Sequence, residues 1–242
     1  MNTERRRIEV SGIPIELVRK DIKNLHVGVY PPNGRVRVAA PLRLSDSAVR
    51  LAVVTRLGWI RRQQRSFAQQ DRQSEREMVS GETHYVLGKR YRLVIVESTD
   101  KTGIRLRPNH KLELTVRPAW GCQRRELMLM QWYRSLLQAR LPRLIETWEP
   151  KVGVKVQQWA IRRMKTRWGT CNQKAARILF NLELAKKSEA CLELIVVHEL
   201  VHLLERHHND AFRSYMDRLL PHWRTVRDHL NSAPLGAERW DY

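Results

Sequence analysis

The stretch "CLELIVVHELVHLLERHH", residues 191–208, constrains this chain more than any other. It is apolar enough for a helix buried nearly all round, yet it carries four of the chain's nine histidines. Polar groups on such a helix must be paired or bound to a metal, because an orphaned one costs kilocalories. Helical geometry sets His198 and His202 about 40° apart around the axis and about 6 Å apart along the surface. Both imidazoles then reach one ion, and the intervening Glu199 stands beside its open position. This is the HExxH arrangement, in which two histidines bind zinc and the glutamate serves as general base for a water whose pKa zinc lowers to about 7. With nine histidines and 17 glutamates, chance alone gives the pattern in roughly 2% of such chains. Two hydrogen-bonded core histidines therefore remain the competing explanation.

A third ligand sharpens the case. His208 follows His202 by six residues, and adding that spacing lowers the chance figure below roughly 0.1%. On a continuous helix His208 would sit about 9 Å beyond His202 on another face. It ligates only if the helix stops near Arg206 and the chain turns back, and Asn209 as the cap of a following helix fits such a stop. Three histidines leave one position for water, which is the pattern of catalytic zinc rather than structural zinc. His207 competes with His208 for the third place. Glu205 shares the face of His198 and His202 and is placed to orient an imidazole. Cys191 lies about 10 Å below His198 and reads as core.

Charge is the loudest global signal. Forty-five Lys and Arg against 25 Asp and Glu leave a net charge of +20 over 242 residues. The excess is +8 over residues 1–80, +6 over 81–150 and +6 over 151–242, so the whole body is basic rather than a tail. Such a field favours DNA or another polyanion as a partner and makes binding salt-sensitive. No apolar run reaches 18 residues, so no membrane span is expected. The start, "MNTERRRIEV", has no apolar segment behind its arginines, which argues against a secretory signal. Cys122, Cys171 and Cys191 are few, odd in number and widely spaced, which fits a reducing cytoplasm.

The expected fold class is α+β. Residues 1–118 read as a β-rich region with one long helix. "IPIELVRK" and "LHVGVY" alternate, and "PPNG" before "RVRVAAP" signals a hairpin. Ser45 caps a helix expected to run from Asp46 through "AVRLAVVTRLGWIRRQQRSFAQQ". "RYRLVIV", "GIRLRP" and "KLELTV" read as a second small sheet. Another long helix is expected from Arg124 to Trp148, kinked or broken at Pro142. Residues 119–242 are expected to form the catalytic domain, with two strands after Pro150, the histidine helix, and two shorter helices. No internal repeat is evident.

At "KTRWGTCNQKAARILFNLEL" followed by "VVHELVHLLERHHNDAF" the chain resembles the YgjP-like metal-dependent hydrolases, related to the SprT and WLM minimal zincins. The matching positions are Arg167, Trp168, Gly169, Thr170, Cys171, Asn181, His198, Glu199, His202 and His208. Weaker likeness in "PNGRVRVAAPLRLS", "LGKRYRL" and "WYRSLLQARLPRL" extends it to nearly full length. The resemblance implies a zincin-type domain behind the β-rich region, with one zinc ion on His198, His202 and His208, and Glu199 as base. It favours His208 over His207. It implies a peptidase, acting on a peptide or protein, and in SprT-like relatives on proteins near nucleic acid. In this chain Glu205 stands where metzincins of the same spacing have a glycine to turn the helix. The strand at "RWGTC" would pair with an extended substrate, with Arg167, a backbone N–H of the strand or Tyr215 steadying an oxyanion. Two other readings stay open, a zinc hydrolase of phosphate esters or nucleotides, and a nucleic-acid-binding module with a structural metal.

Overall fold

The structure, a computed structural model, describes residues 4–30, 33–69, 76–164 and 167–232. It is α+β, and the described residues form eleven strands, six α-helices and one 3₁₀ turn. They divide into two units, one within Met1–Gln73 and one within Ser74–Ala233.

The first unit is a four-stranded sheet with two helices. Strands β1 (Glu4–Val10) and β2 (Ile13–Lys20) form a hairpin; β3 (His26–Tyr30) and β4 (Arg35–Pro41) complete the order β1-β2-β4-β3. Ser11 and Gly12 join the hairpin with φ of 52° and 76°. Two left-handed residues in a two-residue loop are what the twist of paired strands prefers. Alternation buries Ile13, Ile15 and Leu17 on β2 and Val36, Val38 and Ala40 on β4, against Val49 and Val53 of α1 (Asp46–Val54) and Ile60 of α2 (Leu57–Gln69). Ser45 caps α1 by accepting the Ala48 N–H. The single helix expected here is two, because the chain turns at Thr55 and Arg56 before α2 begins.

The second unit opens with the same construction. Strands β5 (Thr83–Val86), β6 (Lys89–Glu97), β7 (Gly103–Arg107) and β8 (Lys111–Val116) take the order β5-β6-β8-β7. In both sheets the first two strands are antiparallel, the second and fourth parallel, and the third and fourth antiparallel. Even the hairpin loop matches, with Leu87 and Gly88 at φ 48° and 80°. The chain thus contains a repeat of topology that the sequence did not reveal. What the two copies share is alternation and turn chemistry, not residue identities.

This second sheet shares a hydrophobic core with the helices that follow it, so the division expected at 118/119 falls inside a packed unit. Helix α3 (Cys122–Val152) supplies Leu129, Tyr133, Leu137, Leu141, Ile145, Trp148 and Val152, a single buried stripe at helical spacing. It runs unbroken through Pro142 and extends past Trp148 to a left-handed cap at Gly153. Trp148 Nε1 donates to Glu193 of α4 (Glu189–Val201) at 3.0 Å, and Arg140 pairs with Glu189. Beyond α3 lies a three-stranded sheet of β9 (Gln158–Arg162), β10 (Gly169–Asn172) and β11 (Arg177–Asn181), in the order β10-β11-β9. A 3₁₀ turn (Leu182–Lys186) leads into α4, and α5 (Asp210–Leu219) and α6 (Trp223–Ser232) follow.

Candidate metal centre

Helix α4 starts at Ser188, whose hydroxyl accepts the Cys191 N–H, and buries Leu192, Val196, Val197, Leu200 and Val201 completely. The regular helix ends sooner than expected, at Val201 with His202 as the cap, although the Glu205 N–H still reaches back to the Val201 carbonyl. Leu203 and Leu204 then close with i→i−3 bonds, the usual tightening of a last turn. Leu204, freed from the helix, is 39% exposed. Gln173 donates Nε2 to the carbonyl of Leu203 at 3.0 Å, satisfying a group the helix end leaves orphaned.

The turn that follows needs no glycine, since no residue from 203 to 209 takes a positive φ. The Glu205 carboxylate accepts the His207 N–H and further bonds from Arg206 and Asn209, which hold it below the usual carboxylate range. Asn209 caps α5 by accepting the Phe212 N–H at 3.0 Å. That cap returns the chain over the helix it has just left.

The result is a convergence of three imidazoles. His198 Nε2 lies 3.1 Å from Nε2 of His202 and 3.1 Å from Nε2 of His208. Phe212, 2% exposed, sits against all three rings with centroids 4.7–4.9 Å away. His202 Nδ1 faces the Glu205 carbonyl at 2.9 Å. A carbonyl only accepts, so Nδ1 carries the proton and the neutral ring turns a bare Nε2 inward. Glu205 therefore bears on His202 through its backbone, while its carboxylate organises the turn. Burial, then the neighbouring His202 and His208, hold His198 down to about 3; burial also lowers His202. Both are neutral imidazoles at physiological pH, the form that binds metal.

Such a set fits a zinc ion. Tetrahedral zinc with bonds of about 2.0–2.1 Å requires nitrogens about 3.3 Å apart, close to the separations present. His198, His202 and His208 are also the one group of three metal-ligating side chains found among the described residues, with ligand atoms within 4.8 Å of one another. The His207 ring is not part of it.

Glu199 stands beside this cluster, 4% exposed, with a buried Oε2 that has no hydrogen-bond partner. Burial pushes its carboxyl up to about 8, and the positive charge of Arg167 pulls it the other way. Edge strand β10 comes close enough that a Cβ on Gly169 would lie 2.4 Å from Glu199 Oε1. Asn181 anchors the approach to β10: its Nδ2 donates to the carbonyls of Met164 and Arg167, both at 2.7 Å, and its Oδ1 accepts from Met164 and Glu183. Cys171 on β10 is half-buried, and burial, then Glu199, push its thiol up to about 11, so it stays a neutral wall residue.

These elements enclose a cleft of about 1030 Å³ lined by Arg167, Gly169, Glu199 and the three histidines, and closed on one side by Trp223 and Leu230 of α6. Of the two oxyanion donors expected from sequence, Arg167 lines it. Tyr215 does not: it packs half-buried against the core, with Arg218 over its ring at 5.3 Å. Sequence reasoning missed Phe212 and Gln173, whose roles arise only once the chain has folded back. The expectation of a helix buried nearly all round fails at Leu204.

A family described as YgjP-like, metallopeptidase domain, matches residues 24–233. Among solved structures, the metallopeptidase zymogen abylysin of Pyrococcus abyssi is similar at 20% identity over 37% of this chain and 90% of that one, with a TM-score of 0.35. No curated protein matches the chain.

Proposed function

Since this chain belongs to the YgjP-like metallopeptidase family, we propose that it is a zinc peptidase, with one ion held by His198, His202 and His208 of a zincin-like HExxH site. The observation that carries this reading is the convergence of three imidazole Nε2 atoms beside the partnerless Glu199 Oε2. A zinc ion held there would supply Lewis acidity, polarising a carbonyl and lowering the pKa of water. Glu199, whose carboxylate lines the cleft beside the three imidazoles, takes the proton from the attacking water and hands it to the leaving amine. The free edge of β10 offers backbone hydrogen bonds to an extended chain, and Arg167 steadies the oxyanion. Glu205 fixes the ring of His202 through its carbonyl.

A second reading, hydrolysis of phosphate esters or nucleotides, is favoured by the cations on the cleft wall. One experiment separates the readings. Zinc content is measured for the wild type, His198→Ala, His208→Ala and Glu199→Gln, and each is incubated with peptides and with nucleotides. The histidine variants are expected to lose zinc. Glu199→Gln is expected to keep zinc and lose at least 10²-fold in turnover of peptides. Unchanged zinc in His208→Ala sinks the metal site, and turnover of nucleotides alone sinks the peptidase.

No helix among the described residues is long and apolar enough to cross a membrane. Cys122, Cys171 and Cys191 form no disulfide, which supports a reducing compartment, the cytoplasm. DNA or another polyanion is the proposed partner beyond the substrate, on the strength of the +20 charge.

A further inference from the structure

The cleft wall is unequal in charge. Arg167, Lys174, Arg206 and Arg227 line it, and Glu199 is its one acidic residue among the described residues. Glu199 is committed to the proposed reaction, and no other acidic residue on the described wall balances the cations. Arg227 shares its charge with Asp228, at 3.0 Å from Nε, and lies over the Trp223 ring at 5.1 Å. Arg167, Lys174 and Arg206 have no ion pair of this kind among the described residues.

The placement of these cations along the backbone carries the argument further. Arg167 precedes strand β10 by two residues, and Lys174 follows it by two, in the turn that leads to β11. They bracket strand β10, which ends its sheet among the described residues and lines the cleft. An extended chain laid along that edge exposes a side chain every two residues to the same face, about 6–7 Å apart. Its side chains therefore pass a cation at each end of the strand. A phosphate ester has no row of backbone groups for the strand edge to bind. A low-dielectric cleft of one sign concentrates substrates of the other.

From this we infer that the site selects acidic polypeptide segments, with Asp or Glu on both sides of the scissile bond. The inference rests on the peptidase reading.

The test uses the full-length, zinc-loaded protein and three fluorogenic peptides, identical except for Glu, Ala or Lys at the two positions flanking the cleaved bond. The Glu peptide is expected to have a kcat/KM at least tenfold above the Ala peptide, with the Lys peptide lower still. That advantage should shrink as salt rises from 50 to 200 mM. Lys174→Glu should lower the Glu peptide's advantage and raise cleavage of the Lys peptide, a reversal that mere loss of structure does not produce. Equal cleavage of all three peptides, or an unchanged preference in Lys174→Glu, overturns the acidic selectivity and leaves the peptidase standing. Cleavage of none, with nucleoside triphosphates hydrolysed instead, overturns the peptidase and this inference with it.

Discussion

At Gly169 the space a Cβ would fill is already taken by the Glu199 carboxylate, with Cγ and Cδ both 2.7 Å from that position. Gly169→Ala must therefore push the proposed base aside without touching a histidine. Displacing a catalytic group by about 1 Å costs on the order of 10²-fold in rate. The variant is expected to bind zinc normally and lose that much in kcat, and wild-type turnover would show that Glu199 has room to spare. His84 makes a different prediction. It is 4% exposed, and burial, helped by Arg76 and Lys186 and opposed by Glu82, lowers it to about 4. Between that value and its unfolded value near 6.5, the unfolded chain binds a proton that the folded chain refuses. Stability is accordingly lost as pH falls through this window, by at most about 3 kcal/mol from this group. Denaturant melts at pH 7.5 and pH 4.5 should show a smaller loss for His84→Gln than for the wild type; an equal loss contradicts the assignment. His198, Glu199 and His202 were legible in sequence because their spacing lies within one helical element. The crowding at Gly169 and the burial of His84 arise between elements distant in the chain, which no spacing encodes.

Elements were legible to the extent that their signals are local. Ser45, Ser188 and Asn209 cap α1, α4 and α5, and the first and last of these follow from residue type beside an apolar run. Ends set by packing were not legible. Helix α3 runs through Pro142 because its buried stripe continues on both sides. Helix α4 yields at Val201 because Gln173 and the Glu205 turn take up its loose ends. Asn209 tests how far that turn governs the metal site. It accepts the Phe212 N–H and bonds Glu205, so it joins α5 to the segment that presents His208. Asn209→Ala should cost about 1 kcal/mol as a lost cap. It should also weaken zinc binding by 10–100-fold, the usual effect of loosening a ligand's support. Thermal melts of the zinc-free protein read the first effect and chelator competition the second. A variant that melts lower yet binds zinc as before would mean the His208 turn holds without its cap.

At the scale of the whole chain, the sequence conveyed composition and class but not partition. The second sheet joins the core of α3 and α4, so the first unit is smaller than the β-rich stretch suggested, and its topology is repeated rather than extended. That smaller unit concentrates much of the basic excess. Helix α2, "LGWIRRQQRSFAQ", contains no acidic residue. Ile60 is fully buried; Arg61, Arg62 and Arg65 project from the opposite side and are exposed, with Trp59, 37% exposed, beside them. Arg61 and Arg65 are one turn apart, a like-charge pair that costs the helix a few tenths of a kcal/mol unless an anion lies against it. A solvated helix face ordinarily mixes signs, and this one does not. If the stripe is where a duplex binds, replacing all three arginines by glutamate removes three phosphate contacts. The slope of log affinity against log salt should then flatten by about 3, at roughly 0.9 per contact. Fluorescence anisotropy with a labelled duplex between 50 and 200 mM salt measures it. A wild type that fails to bind at 50 mM, or a variant with an unchanged slope, removes α2 as the contact and leaves the charge of the first unit to solubility alone.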